Sequence, residues 1–179
     1  GYTLETRALL EGVANVHRPG VNCGATTRGL AELDAWLGQG EWDVIHFNWG
    51  LHDLKYVNAN GKMVETDEGT QMVPIQQYGK NLDELVKRLK KTGATLIWRN
   101  TTPVPEGSKG RVAGDAARYN EAAARVMRKH GIAIHDLYSF AKEHEKDIQL
   151  PNNVHYTKAG SKRLAEEVAE VIRAALNPE

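Results

Sequence analysis

Cysteine, serine and charge imbalance are what this 179-residue sequence has little of: one cysteine, three serines, and 23 Lys plus Arg set against 23 Asp plus Glu. With Cys23 alone, no intrachain disulfide and no cysteine-based zinc site can form. A lone cysteine is ordinarily a small buried apolar group, and nothing around Cys23 argues for the lowered pKa a nucleophile needs. A net charge of zero argues against a partner held by bulk charge, so neither nucleic acid nor an anionic membrane surface is expected. No apolar run approaches the roughly 18 residues that a membrane span requires. No signal-peptide pattern is visible in the first residues, which leaves the compartment open, and the oligomeric state is equally open.

What is present suits one domain over residues 1–179, since 41% hydrophobic residues can build a full core at this length. Thr3 to Glu11 reads as a helix, with Leu4, Ala8 and Leu9 at helical spacing. Val13 to His17 is short and β-prone, and Pro19-Gly20 turns after it. Leu30, Leu33, Ala35 and Leu37 give the next helix its apolar stripe. Asp43 to Asn48 reads as a buried strand. Residues 49–73 show little periodicity, and a connection that long in a compact domain is usually functional. Helix Ile75–Lys91, strand Ala94–Trp98, helix Asp115–His130, strand Ile132–His135, a helical turn or two over Tyr138–Glu145, and a last helix capped by Thr157 and ending at Leu176 complete the alternation. Such alternation implies an α/β fold, a parallel sheet with helices on both faces. Right-handed crossovers require each helix to join two parallel strands, yet the first helix has no strand before it.

Two polar clusters could carry chemistry. The first is Asn48-Trp49-Gly50-Leu51-His52-Asp53, at the end of the Asp43–Asn48 strand. Its Asn and His donors could hold an oxyanion. His46, His52 and Asp53 could instead bind a metal, or the side chains could simply cap strand and loop. The second is Asn152-Asn153-Val154-His155, beside the last helix. A neutral His155 there could act as general base if its other nitrogen is oriented, and Asn152 is near enough to do so; equally, both could merely shape the loop. The loops at Gly24, Asn48–Asp53 and Asn100–Thr102 follow successive strands, so a parallel sheet brings them to one edge.

Gly50-Leu51-His52-Asp53 resembles the Gly-x-Asn-Asp block of the SGNH (GDSL-type) hydrolases. Asn152-Asn153-Val154-His155, followed by Tyr156-Thr157 and Gly160, resembles their Asp-x-x-His block, and Gly24 sits where another block places a glycine. The resemblance implies a three-layer, flavodoxin-like parallel sheet and a serine esterase acting on short acyl, acetyl-type esters, including those of carbohydrates. It implies no metal and no organic cofactor. Residue by residue, it implies His155 as general base, Asn152 in the place of the acid that orients it, and an oxyanion hole from Gly24 and His52, with Asn48 as a stand-in and Asp53 in support. Asn152 replaces an Asp and His52 an Asn. An amide can fix a tautomer but cannot stabilise an imidazolium by charge.

The family's nucleophilic serine lies in a Gly-Asp-Ser block at the end of the first strand. This sequence opens at Gly1-Tyr2-Thr3, where that block would end, and Ser108, Ser139 and Ser161 lie in other contexts. The expectation is therefore that the working protein carries further residues upstream, with the strand and the serine among them. The alternative is a non-catalytic carbohydrate-binding relative, in which Trp49, Tyr56 and the 49–73 loop form a sugar-stacking surface.

Overall fold

The computed structural model describes residues 1–177. Its centre is a parallel sheet of β1 (Val44–Phe47), β4 (Thr95–Arg99) and β5 (Ala133–His135), in the spatial order β1-β4-β5. Two short strands, β2 (Tyr56–Val57) and β3 (Thr70–Gln71), pair antiparallel within the 49–73 connection. Sequence patterning did not reveal them, because two residues are too few to show a period. The helices are α1 (Thr3–Leu9), α2 (Thr26–Leu37), α3 (Ile75–Lys90), α4 (Asp115–His130), α5 (Leu137–Glu143), α6 (Glu145–Ile148) and α7 (Lys158–Leu176). This is the three-layer, flavodoxin-like α/β architecture, with helices on both faces of the sheet.

The strand period of two divides the side chains between the layers. Ile45 and Phe47 of β1 and Leu96 and Trp98 of β4 face α2, α3 and α4. There they join a continuous core with Leu82, Leu85, Val86 and Leu89 of α3 and the small face Ala116, Ala122 and Ala123 of α4. Burying each large side chain of this set is worth about 1.5–3 kcal/mol. Arg88 ties α3 to α2, donating to the Leu30 carbonyl and pairing with Asp34 at 2.8 Å.

The opposite face is built differently. Tyr2, Leu137, Ala141, Ile148, Leu164 and Val168 form a smaller cluster. Beside it, His46 of β1 and His135 of β5 meet ring to ring, Nε2 to Nδ1 at 3.0 Å. Burial pushes His46 down to about 3 and His135 down to about 4, and the nearby Arg99 guanidinium pushes both the same way, so both rings are neutral. Of the Leu4, Ala8 and Leu9 stripe read from the sequence only Leu9 is half-buried, and Leu4 is 72% exposed; the inward side of α1 is Thr6, flanked by half-buried Tyr2 and buried Leu10 at its ends.

Val13–His17 is not a strand. Ala14 and Val16 are half-buried while Val13, Asn15 and His17 are exposed, a strand-like alternation with no ladder attached. A strand needs a neighbour for its backbone groups. Here an open slot of about 930 Å³ separates the segment from the free edge of β1, lined on its sides by Tyr2, Thr6, Trp42, His46, Val168 and Ile172.

Candidate active site

The His155 loop is closed at its base. Gln149 and Tyr156 form a β-bridge, Leu150 N–H donates to the His155 carbonyl at 3.0 Å, and Thr157 N–H donates to the Ile148 carbonyl at 2.9 Å. Thr157 then caps α7, its Oγ1 accepting from Gly160 N–H at 2.9 Å. Gly160 has no alternative here, since a Cβ would stand 2.1 Å from the Ile148 carbonyl oxygen. Gln149 Nε2 reaches both the Pro103 and Asn153 carbonyls at 3.1 Å, which fastens the loop to the segment after β4.

His155 is exposed, and its partner is Asn153 rather than Asn152. Asn153 Oδ1 accepts from the His155 backbone N–H at 3.0 Å and lies 2.6 Å from His155 Nδ1. An oxygen that accepts the backbone donor presents the same acceptor to the ring, so Nδ1 carries the proton and Nε2 keeps its lone pair. Asn152 sits in the left-handed region at φ 52°, and its side chain packs against Gly107. It makes the turn. Two adjacent amides left the sequence ambiguous, and backbone conformation decides between them.

The β1 end is organised around Gly50, where a Cβ would stand 2.0 Å from Thr101 Oγ1. Asn48 is fully engaged there: its Nδ2 donates to the Arg99 carbonyl at 2.7 Å and to Thr101 Oγ1 at 3.2 Å, and its Oδ1 accepts from Arg99 at 2.6 Å. It locks β1 to β4 and has no donor left over. Gly24, at φ 62°, has its N–H on Asn22 Oδ1 at 2.8 Å. The ring of His52 makes no hydrogen bond among the described residues. Burial pushes it down to about 4, and Lys55, Arg111 and His155 push the same way by charge repulsion, so a neutral ring with one N–H to give stands within electrostatic range of His155.

Asp53 is fully buried, with Oδ1 accepting from Thr26 N–H at 2.8 Å and from Thr26 Oγ1 at 2.5 Å. Burial pushes its carboxyl up to about 6. His46, His52 and Asp53, the trio considered for a metal, thus turn to three separate surroundings, and no group of three His, Cys, Asp or Glu able to hold a metal exists among the described residues. Trp49 is only 6% exposed, packed on Gly29 and Phe47, so it gives no sugar-stacking surface. Cys23 is half-buried and burial raises its thiol, which disfavours the thiolate. Arg111, unremarkable in the sequence, donates from Nε to the Leu51 carbonyl at 3.0 Å beside His52. No helix among the described residues is long and apolar enough to cross a membrane.

Comparison with known proteins bears on family and fold. The GDSL-like lipase/acylhydrolase family model matches residues 7–163. An acetyl xylan esterase, AlAXEase, superposes with a TM-score of 0.75 at 12% identity, over 96% of this chain and 90% of its own. The acetylxylan esterase Axe2 from Geobacillus stearothermophilus gives 0.73 at 16% identity, over 100% and 82%. A lipase/acylhydrolase from Enterococcus faecalis gives 0.66 at 16% identity, over 87% and 74%. At these identities the likeness is one of fold. No curated protein matches the chain.

Proposed function

We propose that this chain, which belongs to the GDSL-like lipase/acylhydrolase family and so to a family of hydrolases, works as a serine carboxylic-ester hydrolase on short, acetyl-type esters, including those carried by carbohydrates. The observation that carries the reading is the Asn153–His155 pair, which leaves Nε2 of an exposed imidazole free as a base. The acetyl xylan esterases among the structural neighbours support the acyl class and the carbohydrate context.

In this reading a serine on a strand preceding Gly1 attacks the ester carbonyl. That strand would occupy the slot beside β1, whose free edge offers the backbone partners a parallel strand needs. Tyr2 and Tyr156 pack on the same small core, so a strand leading into Tyr2 would end close to the His155 loop. His155 Nε2 takes the serine proton, and Asn153 holds the Nδ1 proton on the far side. The developing oxyanion receives the His52 N–H and the Gly24 N–H, the latter exchanging its Asn22 contact. Collapse gives an acyl-enzyme and releases the alcohol, His155 returning the proton; water then attacks, again through His155. Asn48 is not a donor in this scheme, and no cofactor is called on. Without a carboxylate beside it, the imidazolium is stabilised by hydrogen bonding alone.

The test is hydrolysis of p-nitrophenyl acetate and of acetylated xylo-oligosaccharide by protein carrying the upstream strand, with and without His155→Ala. Loss of at least about 10²-fold in turnover is expected; equal rates would remove His155 from the mechanism.

A further inference from the structure

Thr26 was not among the residues singled out for chemistry, yet it makes a knot between three elements. It is the first residue of α2 and is 0% exposed. Its backbone N–H and its hydroxyl both donate to a single oxygen of Asp53, at 2.8 and 2.5 Å. The same hydroxyl oxygen accepts from Asn81 Nδ2 of α3 at 2.9 Å, and Asn81 is itself buried and held by Gln77 at 2.8 Å. One threonine therefore uses both its donors and an acceptor lone pair inside the protein, where no water competes.

The placement of this knot matters more than its stability. Gly24 lies two residues before Thr26, and His52 lies immediately before Asp53. The Gly50–Leu54 turn is thus pinned on both sides of His52: at Asp53 by Thr26, and at Leu51 by Arg111. Asp53 Oδ2 is buried and has no partner among the described residues, and both hydrogen bonds that reach Oδ1 from another residue come from Thr26. Among the described residues nothing else links the Gly24 loop to the His52 turn through a side-chain hydrogen bond.

We infer that Thr26 is a positioning residue: with Asp53 and Asn81 it fixes the distance between the Gly24 N–H and the His52 ring, and so sets the width of the oxyanion hole. The inference rests on the esterase reading for the pairing of Gly24 with His52, while the Thr26 contacts stand apart from it. Two donors that must converge on one oxygen tolerate little displacement, and an error near 1 Å costs on the order of 10²-fold in rate.

Thr26→Val keeps the shape and the backbone donor while removing the hydroxyl, and Thr26→Ser restores the hydroxyl. In protein carrying the nucleophile strand, Thr26→Val should lower kcat about 10- to 100-fold with KM within about twofold, since a donor felt mainly in the transition state is misplaced. Thr26→Ser should recover most of it. A KM rise with kcat unchanged, or equal loss in Thr26→Ser and Thr26→Val, would overturn the assignment. The second arm uses residues 1–179 alone. In Thr26→Val, the Gly24 amide and His52 ring NMR resonances should both move while the His155 ring stays put, with thermal melting showing a folded chain. Unmoved Gly24 and His52 signals, or a chain that no longer melts cooperatively, would overturn it. If unsubstituted protein hydrolyses no ester, the esterase reading fails and the NMR arm alone decides this one.

Discussion

The two faces of the central sheet are made from the same three strands and could hardly be packed more differently. Toward α2, α3 and α4 lie Phe47, Leu96, Trp98, Leu82, Leu85 and Val86, all closed from solvent. Toward α1 and α7 lie a neutral histidine pair, a smaller cluster and an open slot of about 930 Å³. The first face is specified by local pattern: period-two strands against period-3.6 helices leave only one way to bury the apolar atoms. The second depends on a backbone neighbour for β1 and for Val13–His17, and a neighbour is not something a residue pattern can supply.

Core substitution is the harshest way to probe that contrast. Leu85→Ala on the closed face should cost about 2–5 kcal/mol in urea melts, whereas Val16→Ala, on the slot wall, should stay within about 0.5 kcal/mol. Comparable losses would mean that the slot wall is as closely packed as the core. Gly50→Ala comes next. Its Cβ would collide with Thr101 Oγ1 at 2.0 Å, and such overpacking costs about 1–3 kcal/mol; because Gly50 joins the closed face to the site, the same variant should also displace His52.

What the sequence revealed divides along the same line. The α4 helix, Asp115–His130, is found over the residues that its alanine face and Gly131 suggested. The Thr157 cap of α7 is present with its hydrogen bond formed. These are local signals. Val13–His17 carried equally good local signal and failed, because β structure needs a partner. The candidate site was legible as two clusters and as a resemblance, but its internal contacts were not. Asn153 rather than Asn152 holds His155, because φ at Asn152 aims that side chain at Gly107. Trp49 read as a loop aromatic and is core, because Gly29 opens a seat for its ring. Thr26 and Arg111 gave no signal at all; their partners are 27 and 60 residues away in sequence.

A gentler probe of the polar face is pH. Unfolded histidines protonate near 6.5, while His46 and His135 in the fold do so only near about 3 and about 4. Below about 6.5 the unfolded chain therefore binds more protons, and stability falls as pH drops through that window. Asp53 works in the opposite sense: its carboxyl is raised to about 6 from 3.8, so its contribution declines as pH rises between those values. His52, pushed down to about 4, adds a third ring to the same side, so with three rings against one carboxyl the net expectation is lower stability at pH 4.5 than at pH 7. Replacing both rings of the pair, His46→Leu with His135→Leu, should flatten that slope in urea melts, leaving His52 against Asp53. An unchanged slope would show that the pair does not govern it.

The smallest effect should come from the charged outer face of α3. Lys87 pairs with Asp83 at 2.7 Å but is half exposed, and Lys87→Ala should leave the urea midpoint nearly unchanged. A clear drop would make the solvated surface, and not the two faces of the sheet, a principal source of stability.

The most direct test of the proposal that the open flank receives a strand bearing the nucleophile and presents it to His155 is ester hydrolysis across one matched set. The set is residues 1–179 alone, the protein with its upstream strand, and that longer protein with the strand's serine changed to alanine. Turnover of p-nitrophenyl acetate is expected in the second only, with the first and third lower by on the order of 10⁶-fold at the limit of a lost nucleophile. Full turnover by residues 1–179 alone, or by the longer protein without its serine, would contradict the proposal.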